Sequence, residues 1–270
     1  MVDTVPSLKL YVYPCMSSDL LQFSQKPLLN EQRRHILRSA LTGLAALHKR
    51  GIFHTGKYLY SHVDLTTIDL RKRDRKVNGL VDIKPNNILI DHKEQSDGSL
   101  VIQDVKLSDL EDAVLLGPDM AIEGAVLGNK LWRSPESWTG ATQEHSSDVF
   151  SFGIVAIYVM VNRMVFYSGL TDEQVNGDDA WWHILRRHIS LFGTDTESLQ
   201  GLVRHVGEDS LWFDRFADLA SSFSDKEPRT PFAGWMYLDE SFRDLVGKMT
   251  NLDPARRITA QEALAHPWFT

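Results

Sequence analysis

The stretch from Val81 to Ile90, Val-Asp-Ile-Lys-Pro-Asn-Asn-Ile-Leu-Ile, constrains this chain more than any other feature of its sequence. It places Asp82, Lys84 and Asn87 close together, between apolar residues that predict attachment to a core. A carboxylate, an ammonium and an amide suit phosphoryl transfer, where they take up a hydroxyl proton, neutralise phosphate and hold Mg²⁺. A surface turn before a short strand is the alternative interpretation, because Pro-Asn-Asn is common in turns.

The spacing resembles the catalytic loop of eukaryotic protein kinases, His-Arg-Asp-Leu-Lys-Pro-x-Asn, and the lysine is typical of the Ser/Thr branch. The resemblance implies that ATP, with Mg²⁺ as cofactor, donates its γ-phosphoryl group to a serine or threonine hydroxyl of a protein substrate. It implies that Asp82 is the base that orients the hydroxyl and that Lys84 stabilises the transferring phosphate. It also implies that Asn87 and Asp109 bind the metal and, through it, the nucleotide.

Asp109 lies about twenty residues beyond Asn87, where the family has the metal-binding aspartate of an Asp-Phe-Gly motif. This chain has Asp-Leu-Glu instead. Leu110 is a weaker packing anchor than phenylalanine, and Glu111 lacks the backbone freedom of glycine. These departures favour a catalytically impaired protein.

The segment from Gly128 to Glu136 resembles the end of a kinase activation segment, Gly-Thr-x-x-Tyr/Trp-x-Ala-Pro-Glu. Asn129 stands where the family has a threonine that bonds to the catalytic aspartate and lysine, and an amide can donate in a similar way. The resemblance pairs Glu136 with an arginine near the C-terminus, which is Arg257 in Leu-Asp-Pro-Ala-Arg-Arg-Ile. We therefore expect a buried ion pair between these two side chains.

An anomaly precedes the catalytic-loop motif. His54 and Thr55 resemble its beginning, yet Asp82 follows only after residues 56–81, whereas one residue separates this histidine and aspartate in kinases. Joining Thr55 directly to Asp82 restores the family motif, which predicts that the insert is a poorly packed excursion outside the core. The insert is either a translated intron, since its two ends can be encoded with splice signals, or a genuine loop insertion. Thr55 would stand where most kinases have an arginine that pairs with an activation-segment phosphate.

The N-terminal residues predict one strand and a linker. Leu8 to Tyr13 alternates in polarity and is rich in β-forming residues. The resemblance makes it the last strand of the N-lobe, followed by the hinge, where backbone groups near Cys15 and Met16 would contact adenine. An isolated edge strand fits the local pattern equally well. The sequence lacks the Gly-rich loop, the strand lysine and the helical glutamate that kinases have ahead of this strand.

Three further segments have clear secondary-structure patterns. Glu31 to Arg50 has apolar residues at helical spacing and a following glycine, which predicts a long helix that feeds the catalytic loop. Residues 87–91 and 101–107 predict the strands of a hairpin with its turn at Asp97-Gly98. Ser147 to Val155 begins a helix that is apolar on all sides, as expected of a buried helix.

Two features of this C-terminal half each have two interpretations. The resemblance implies that Asp148 caps backbone N–H groups of the catalytic loop, and an N-terminal cap on its own helix is a structural role compatible with that. Trp181 and Trp182 occupy a helical segment where kinases dock partners, but paired tryptophans are more often part of a core.

Composition excludes several classes of protein. A formal net charge of −7 argues against general affinity for nucleic acid or an anionic membrane. Cys15 is the single cysteine, which excludes an internal disulfide and favours a reducing compartment. The N-terminus has no signal-peptide pattern, and the longest apolar run, Phe152 to Val161, is too short to span a bilayer. We expect a soluble intracellular protein, either cytoplasmic or nuclear.

Together these observations predict one protein kinase domain over residues 1–270. Its class is α+β by family resemblance and mainly α in this chain, with a residual N-lobe strand and hinge at 8–19, a C-lobe at 20–270 and an insert at 56–81. Three other functions stay open: a pseudokinase or scaffold, a small-molecule phosphotransferase and a non-functional fragment of a longer gene product. The Glu136 and Arg257 motif argues against the second of these.

Overall fold

The computed structural model describes residues 3–5, 10–53, 55–56, 80–110, 113–115, 121–193 and 195–270, and side chains for 12–53, 82–110, 113, 121–193 and 195–270. The strands are β1 (Asp3–Val5), β2 (Leu10–Val12), β3 (Ser18–Asp19), β4 (Ile52–Phe53), β5 (Thr55–Gly56), β6 (Leu80–Val81), β7 (Ile88–Glu94), β8 (Leu100–Leu107) and β9 (Val114–Leu115). The helices are α1 (Leu20–Phe23), α2 (Asn30–His48), α3 (Pro135–Thr139), α4 (His145–Val161), α5 (Asp172–Asn176), α6 (Ala180–Phe192), α7 (Thr196–Val206), α8 (Trp212–Ser221), α9 (Glu240–Met249) and α10 (Ala260–Leu264). The prediction of a mainly helical chain with little sheet is confirmed.

The central helices α2 and α4 contact each other, and α4 also contacts α9. On α2 the predicted apolar stripe is buried at Ile36, Ala40 and Leu44, and the helix ends at His48, just before Gly51. Gly51 has a φ of 70°, a left-handed conformation that glycine adopts without steric cost. Every residue of α4 from Ser147 to Val159 is buried, as its uniform apolarity predicts. Within the described residues, no helix is both long and apolar enough to cross a membrane.

The predicted hairpin is confirmed as β7 and β8, which pair antiparallel. Its turn contains Gly98, which has a φ of 80° and so uses the conformational freedom of glycine. The short strand β3 adds to the other edge of β7, with Asp19 opposite Leu89. This pairing fixes the segment after Cys15 and Met16 beside the strand that leaves the catalytic-loop motif.

The predicted N-terminal strand is confirmed in part. β2 covers Leu10 to Val12 and pairs antiparallel with β1, with Thr4 opposite Tyr11. This two-stranded ribbon is separate from the three-stranded sheet β3-β7-β8.

The two ends of the insert lie side by side. β5 pairs antiparallel with β6, with Thr55 opposite Val81 and Gly56 opposite Leu80. The chain therefore leaves and returns at the same place, immediately before Asp82. Residues 57–79 lie outside the described residues, so their packing and their origin as intron or insertion stay predictions.

Replacing residues 57–79 with Asn-Gly is expected to leave the fold intact. A two-residue Asn-Gly turn suits an antiparallel pair such as β5 and β6, and shortening the loop lowers the entropy cost of closing it by roughly 2 kcal/mol. We expect an equal or higher free energy of unfolding in urea.

Trypsin is also expected to cut the wild-type chain first within residues 57–79, which contain Arg71, Lys72 and Arg73. A loss of cooperative unfolding in the shortened variant, or cleavage of α2 before residues 57–79, would contradict the prediction.

Candidate active site

The polar motif is held on the core by the apolar residues around it. Ile83, Ile88 and Ile90 are each almost completely buried in the main hydrophobic cluster. Between them Pro85 begins a single 3-10 turn that ends at Asn87, whose N–H donates to the carbonyl of Lys84 at 3.0 Å. The alternation of buried isoleucines with polar residues therefore aims the motif at one side of the core, which excludes a simple surface turn.

Asp82, Lys84 and Asn87 form one hydrogen-bonded group. The Lys84 ammonium forms an ion pair with Oδ2 of Asp82. The amide Nδ2 of Asn87 donates to the same Oδ2 and to the backbone carbonyl of Asp82, both at 3.0 Å. Asp82 is only 3% exposed, and its other oxygen, Oδ1, is buried with no hydrogen-bond partner among the described residues. Among the described residues, one carboxylate oxygen is thus fixed and the other accepts no hydrogen bond.

Asp109 is brought to this group by an unusual backbone conformation. Its φ is 61°, in the left-handed region that costs about 1 kcal/mol for most residues and that aspartate tolerates better than most. The backbone carbonyl of Asn87 accepts from the N–H of Ser108 at 2.9 Å, which positions the neighbouring residue. As a result Nδ2 of Asn87 lies 3.2 Å from Oδ2 of Asp109. Strain of this kind concentrates at functional sites.

The residues at this position fit a magnesium ion. Asn87 donates through its amide nitrogen, so its carbonyl oxygen Oδ1 is left for a cation, and Asp109 supplies carboxylate oxygens. Oxygen ligands from one or two side chains, completed by phosphate and water, are what Mg²⁺ prefers. In the described part of the chain no cluster of three histidine, cysteine or acidic residues could hold a metal by itself. Phosphate oxygens would therefore complete the coordination at Asn87 and Asp109.

Arg133 is a further residue of the site that the sequence analysis did not identify. Its side chain is buried, its guanidinium lies 4.7 Å from the ring of Trp138, and it donates to the carbonyl of Gly128. Burial lowers the pKa of Arg133 to about 10, while the negative charge of Asp82 acts in the opposite direction. The guanidinium therefore stays charged and adds positive potential near Asp82. An arginine directly before Ser-Pro-Glu was the only local signal.

The predicted ion pair of the activation segment is confirmed. Arg257 forms a bidentate pair with Glu136, in which Nη2 donates to Oε2 at 2.8 Å, and both side chains are completely buried. Ser147 donates to Oε1 of Glu136 at 2.6 Å, and the Arg257 guanidinium lies 4.8 Å from the ring of Phe150. The pair links α3, α4 and the segment after α9.

The predicted role of Asn129 is not what the structure shows. Its side-chain oxygen accepts from the N–H of Leu131 at 3.0 Å, and within the described residues its side chain forms no hydrogen bond with Asp82 or Lys84. An asparagine side chain that bonds to the N–H two residues ahead closes a local turn, and this use of Oδ1 explains the local role of Asn129.

Asp148 lies in the first turn of α4 and is buried beside the C-terminal end of α2, the end that leads toward the motif. Its Oδ2 lies 3.0 Å from Nε2 of His48, whose ring packs 4.5 Å from that of His145. The interpretation as an N-terminal cap for α4 is wrong, since Glu144 occupies that position. The predicted contact is with backbone N–H groups of the catalytic loop, and His54 at the start of that loop lies outside the described residues. That contact stays a prediction.

The predicted adenine contacts stay untested. Cys15 is exposed, and its thiol donates to the carbonyl of Met16 at 3.7 Å. Both residues precede β3, whose neighbour Ser17 bonds to Asp91 on β7. The structure therefore connects this segment to the strand that follows Asn87. It does not give a direct contact of either side chain with Asp82.

Comparison with known proteins gives a consistent match. The family described as "Protein kinase domain" matches residues 80–269. Relatives include the stress-activated protein kinase jnk-1 of Caenorhabditis elegans, which is 26% identical over 96% of this chain and 47% of the relative. Cyclin-dependent kinase B2-1 of Arabidopsis thaliana is 28% identical over 70% of this chain and 51% of its own length. Extracellular signal-regulated kinase 1 of Dictyostelium discoideum is 24% identical over 94% of this chain and 39% of its own length. The chain thus spans about half, or less, of the curated relatives it matches.

Proposed function

The chain belongs to the protein kinase family, and from this premise we propose that its site transfers the γ-phosphoryl group of ATP to a serine or threonine hydroxyl of a protein. The single observation that carries the proposal is the Asp82 carboxylate. Lys84 and Asn87 fix its Oδ2, while the buried Oδ1 has no described partner. A hydroxyl that donated to Oδ1 would be oriented for attack, which is the task of the base in this chemistry.

The other residues support the same reaction. The Lys84 ammonium is about a quarter exposed, so it is able to contact a phosphate that approaches Asp82. Asn87 and Asp109 would hold Mg²⁺, which when bound neutralises charge on the phosphates. Backbone groups near Cys15 and Met16 would contact adenine. In this proposal residues 8–19 act as a residual strand and hinge and residues 20–270 as the C-lobe.

A kinase-like scaffold is the second candidate. Leu110, which stands where the family has phenylalanine, is 40% exposed and does not anchor the loop in the core. Without that anchor, the loop holds Asp109 less firmly in its left-handed backbone conformation, which is strained and tends to relax. This favours a protein that retains the lobe for binding and has lost efficient catalysis.

Calorimetric titration with ATP and Mg²⁺ separates these candidates. The 270-residue polypeptide is expected to bind nucleotide more weakly than micromolar and to transfer phosphate very slowly, because its sequence has no Gly-rich loop or strand lysine to position the phosphates. The weak binding should require Mg²⁺ and be lost in Asp109→Asn.

The matched control is Asp104→Asn, which removes a half-exposed aspartate that pairs with Lys106 on the same strand, β8. It should leave binding unchanged. Binding that is the same without Mg²⁺ or in Asp109→Asn would favour the scaffold. Micromolar binding with Asp82-dependent transfer would instead make these 270 residues the complete active unit.

A further inference from the structure

A cavity lies at the end of α2 opposite the catalytic motif. The cavity has a volume of about 390 Å³ and is formed by the start of α2, the end of α4, the segment before α9 and the C-terminal Trp268. Arg34 lies 14 positions before His48 on α2, or about 21 Å along the helix axis from the end that leads to the catalytic motif. The cavity is therefore separate from the proposed phosphotransfer site.

Two arginines at this cavity are held on tryptophan rings. The guanidinium of Arg34 lies 5.2 Å from the ring of Trp268, and that of Arg163 lies 5.2 Å from the ring of Trp235. A cation–π contact holds the flat face of a guanidinium against the aromatic ring. The N–H donors at the edge of the guanidinium then stay available for a ligand. Both side chains are exposed, and neither forms an ion pair with a described carboxylate.

The charge around the cavity is unbalanced toward positive. Burial lowers the pKa of Arg187, and the positive charge of Arg163 lowers it further, so these two guanidinium groups are close enough to repel each other. Among the described residues that line the cavity, Asp239 is the one acidic side chain, and its carboxylate accepts from the N–H of Phe242 at 2.9 Å as the cap of α9. A chain with a net charge of −7 thus presents a local excess of positive charge here.

The cavity also has an apolar interior and an exposed aromatic rim. Val161 and Leu238 contribute apolar surface beside Trp268, which is itself almost completely buried. At the rim Tyr237 is 69% exposed, and its ring stacks on Trp235 with centroids 5.8 Å apart. Tryptophan, tyrosine and arginine are the residues most enriched at the energetic centres of interfaces.

We propose that this cavity binds a short acidic peptide segment of a partner protein, with one apolar side chain in the cavity and flanking carboxylates on Arg34 and Arg163. Charge complementarity selects the occupant: immobilised guanidinium groups without carboxylate partners match carboxylates in bidentate geometry. The apolar interior selects a peptide over a simple anion. The catalytic end of α2 is about 21 Å from this cavity, so a bound peptide shorter than about six extended residues would not reach the proposed phosphotransfer site.

Fluorescence polarisation with a labelled Glu-Glu-Leu-Glu-Phe-Glu-Glu peptide tests the proposal on the full chain. Two control peptides have every glutamate replaced by glutamine, or the leucine and phenylalanine replaced by serine. Both controls are expected to bind at least about tenfold more weakly, since hydrogen bonds to charged groups and burial of an apolar side chain each strengthen binding by about tenfold or more. Because these changes are made in the peptide, the result does not depend on how a protein variant folds.

Protein variants then locate the site. Arg34→Gln and Arg163→Gln should each weaken binding about tenfold, and the double variant about a hundredfold. Arg204→Gln, which changes an exposed arginine on α7, should have less than about a twofold effect. Arg34→Lys should recover part of the binding because the charge returns without the planar fork. Equal binding of the acidic and glutamine peptides, or full binding by the double variant, would overturn the proposal.

Discussion

Replacing Arg257 with alanine is expected to lower the free energy of unfolding by about 3–5 kcal/mol, because Glu136 would remain buried without its partner. The pair is bidentate, and both side chains are completely buried. Arg257 also donates to the backbone carbonyls of Asn251, Leu252 and Ser146, so the change removes the donor for three further buried or partly buried groups. A loss of this size is a large fraction of the total stability of most domains.

The adjacent residue provides the control. Arg256 is exposed and pairs with Asp195 and Glu197 at 3.5 and 3.3 Å, a geometry that contributes at most about 1 kcal/mol. Urea unfolding of Arg256→Ala should therefore resemble that of the wild type, while Arg257→Ala unfolds at much lower urea concentration. If the two variants unfold at the same midpoint, the ion pair does not stabilise the fold as we infer.

The same pair makes stability sensitive to acid. Burial raises the pKa of Glu136, but the charge of Arg257 and the hydrogen bonds from Arg257 and Ser147 together lower it below its ordinary value. A group whose pKa is lower in the folded state contributes stability above its unfolded pKa and loses that contribution as pH falls through the folded value. The pair therefore stabilises the fold at neutral pH and ceases to do so in strong acid.

The elements that the sequence predicted are those fixed by local patterns. The buried stripe of α2 follows from apolar residues every three or four positions, and the turn at Gly98 follows from a residue that tolerates positive φ. Helix α4 is apolar on all sides because other elements surround it. The Glu136 and Arg257 pair was predicted across more than a hundred residues only because the family motif supplied the partner.

The features that were missed depend on contacts between distant residues. The pairing of β5 with β6 brings together residues on either side of a long insert, and no local pattern specifies that register. The guanidinium of Arg133 packs on Trp138. The negative charge of Asp82, some fifty residues earlier in the sequence, acts to raise the pKa of Arg133. His188, which lacks metal-ligand spacing, is buried between Phe150 and Phe166, and burial lowers its pKa to about 3. Solvation of such groups is set by tertiary packing, which a sequence pattern does not contain.

In a form of the protein that carries an N-lobe, Asp82→Asn and Asp109→Asn are each expected to reduce the rate of phosphotransfer by a factor of about 10²–10⁴. An amide at position 82 has about the shape of the carboxylate but cannot accept the hydroxyl proton. An amide at position 109 retains one oxygen ligand and loses the charge that would bind a cation beside Asn87. Both changes conserve volume, and Lys84 keeps solvent contact, so the fold should be retained.

A radiolabel transfer assay, with urea unfolding of the same samples, distinguishes loss of chemistry from loss of structure. Asp82→Asn should lower turnover with little change in nucleotide affinity, because Oδ1 of Asp82 is directed to the substrate hydroxyl in our proposal. Asp109→Asn should also weaken Mg²⁺-dependent nucleotide binding, since Asp109 lies beside Asn87 and would bind the metal with it in our proposal. Asp97→Asn, in the exposed turn of the β7–β8 hairpin, is the control and should keep full activity. Wild-type turnover in either test variant would refute the role assigned to that aspartate, and equal effects on nucleotide affinity would show that the two residues do not divide the work as their geometry indicates.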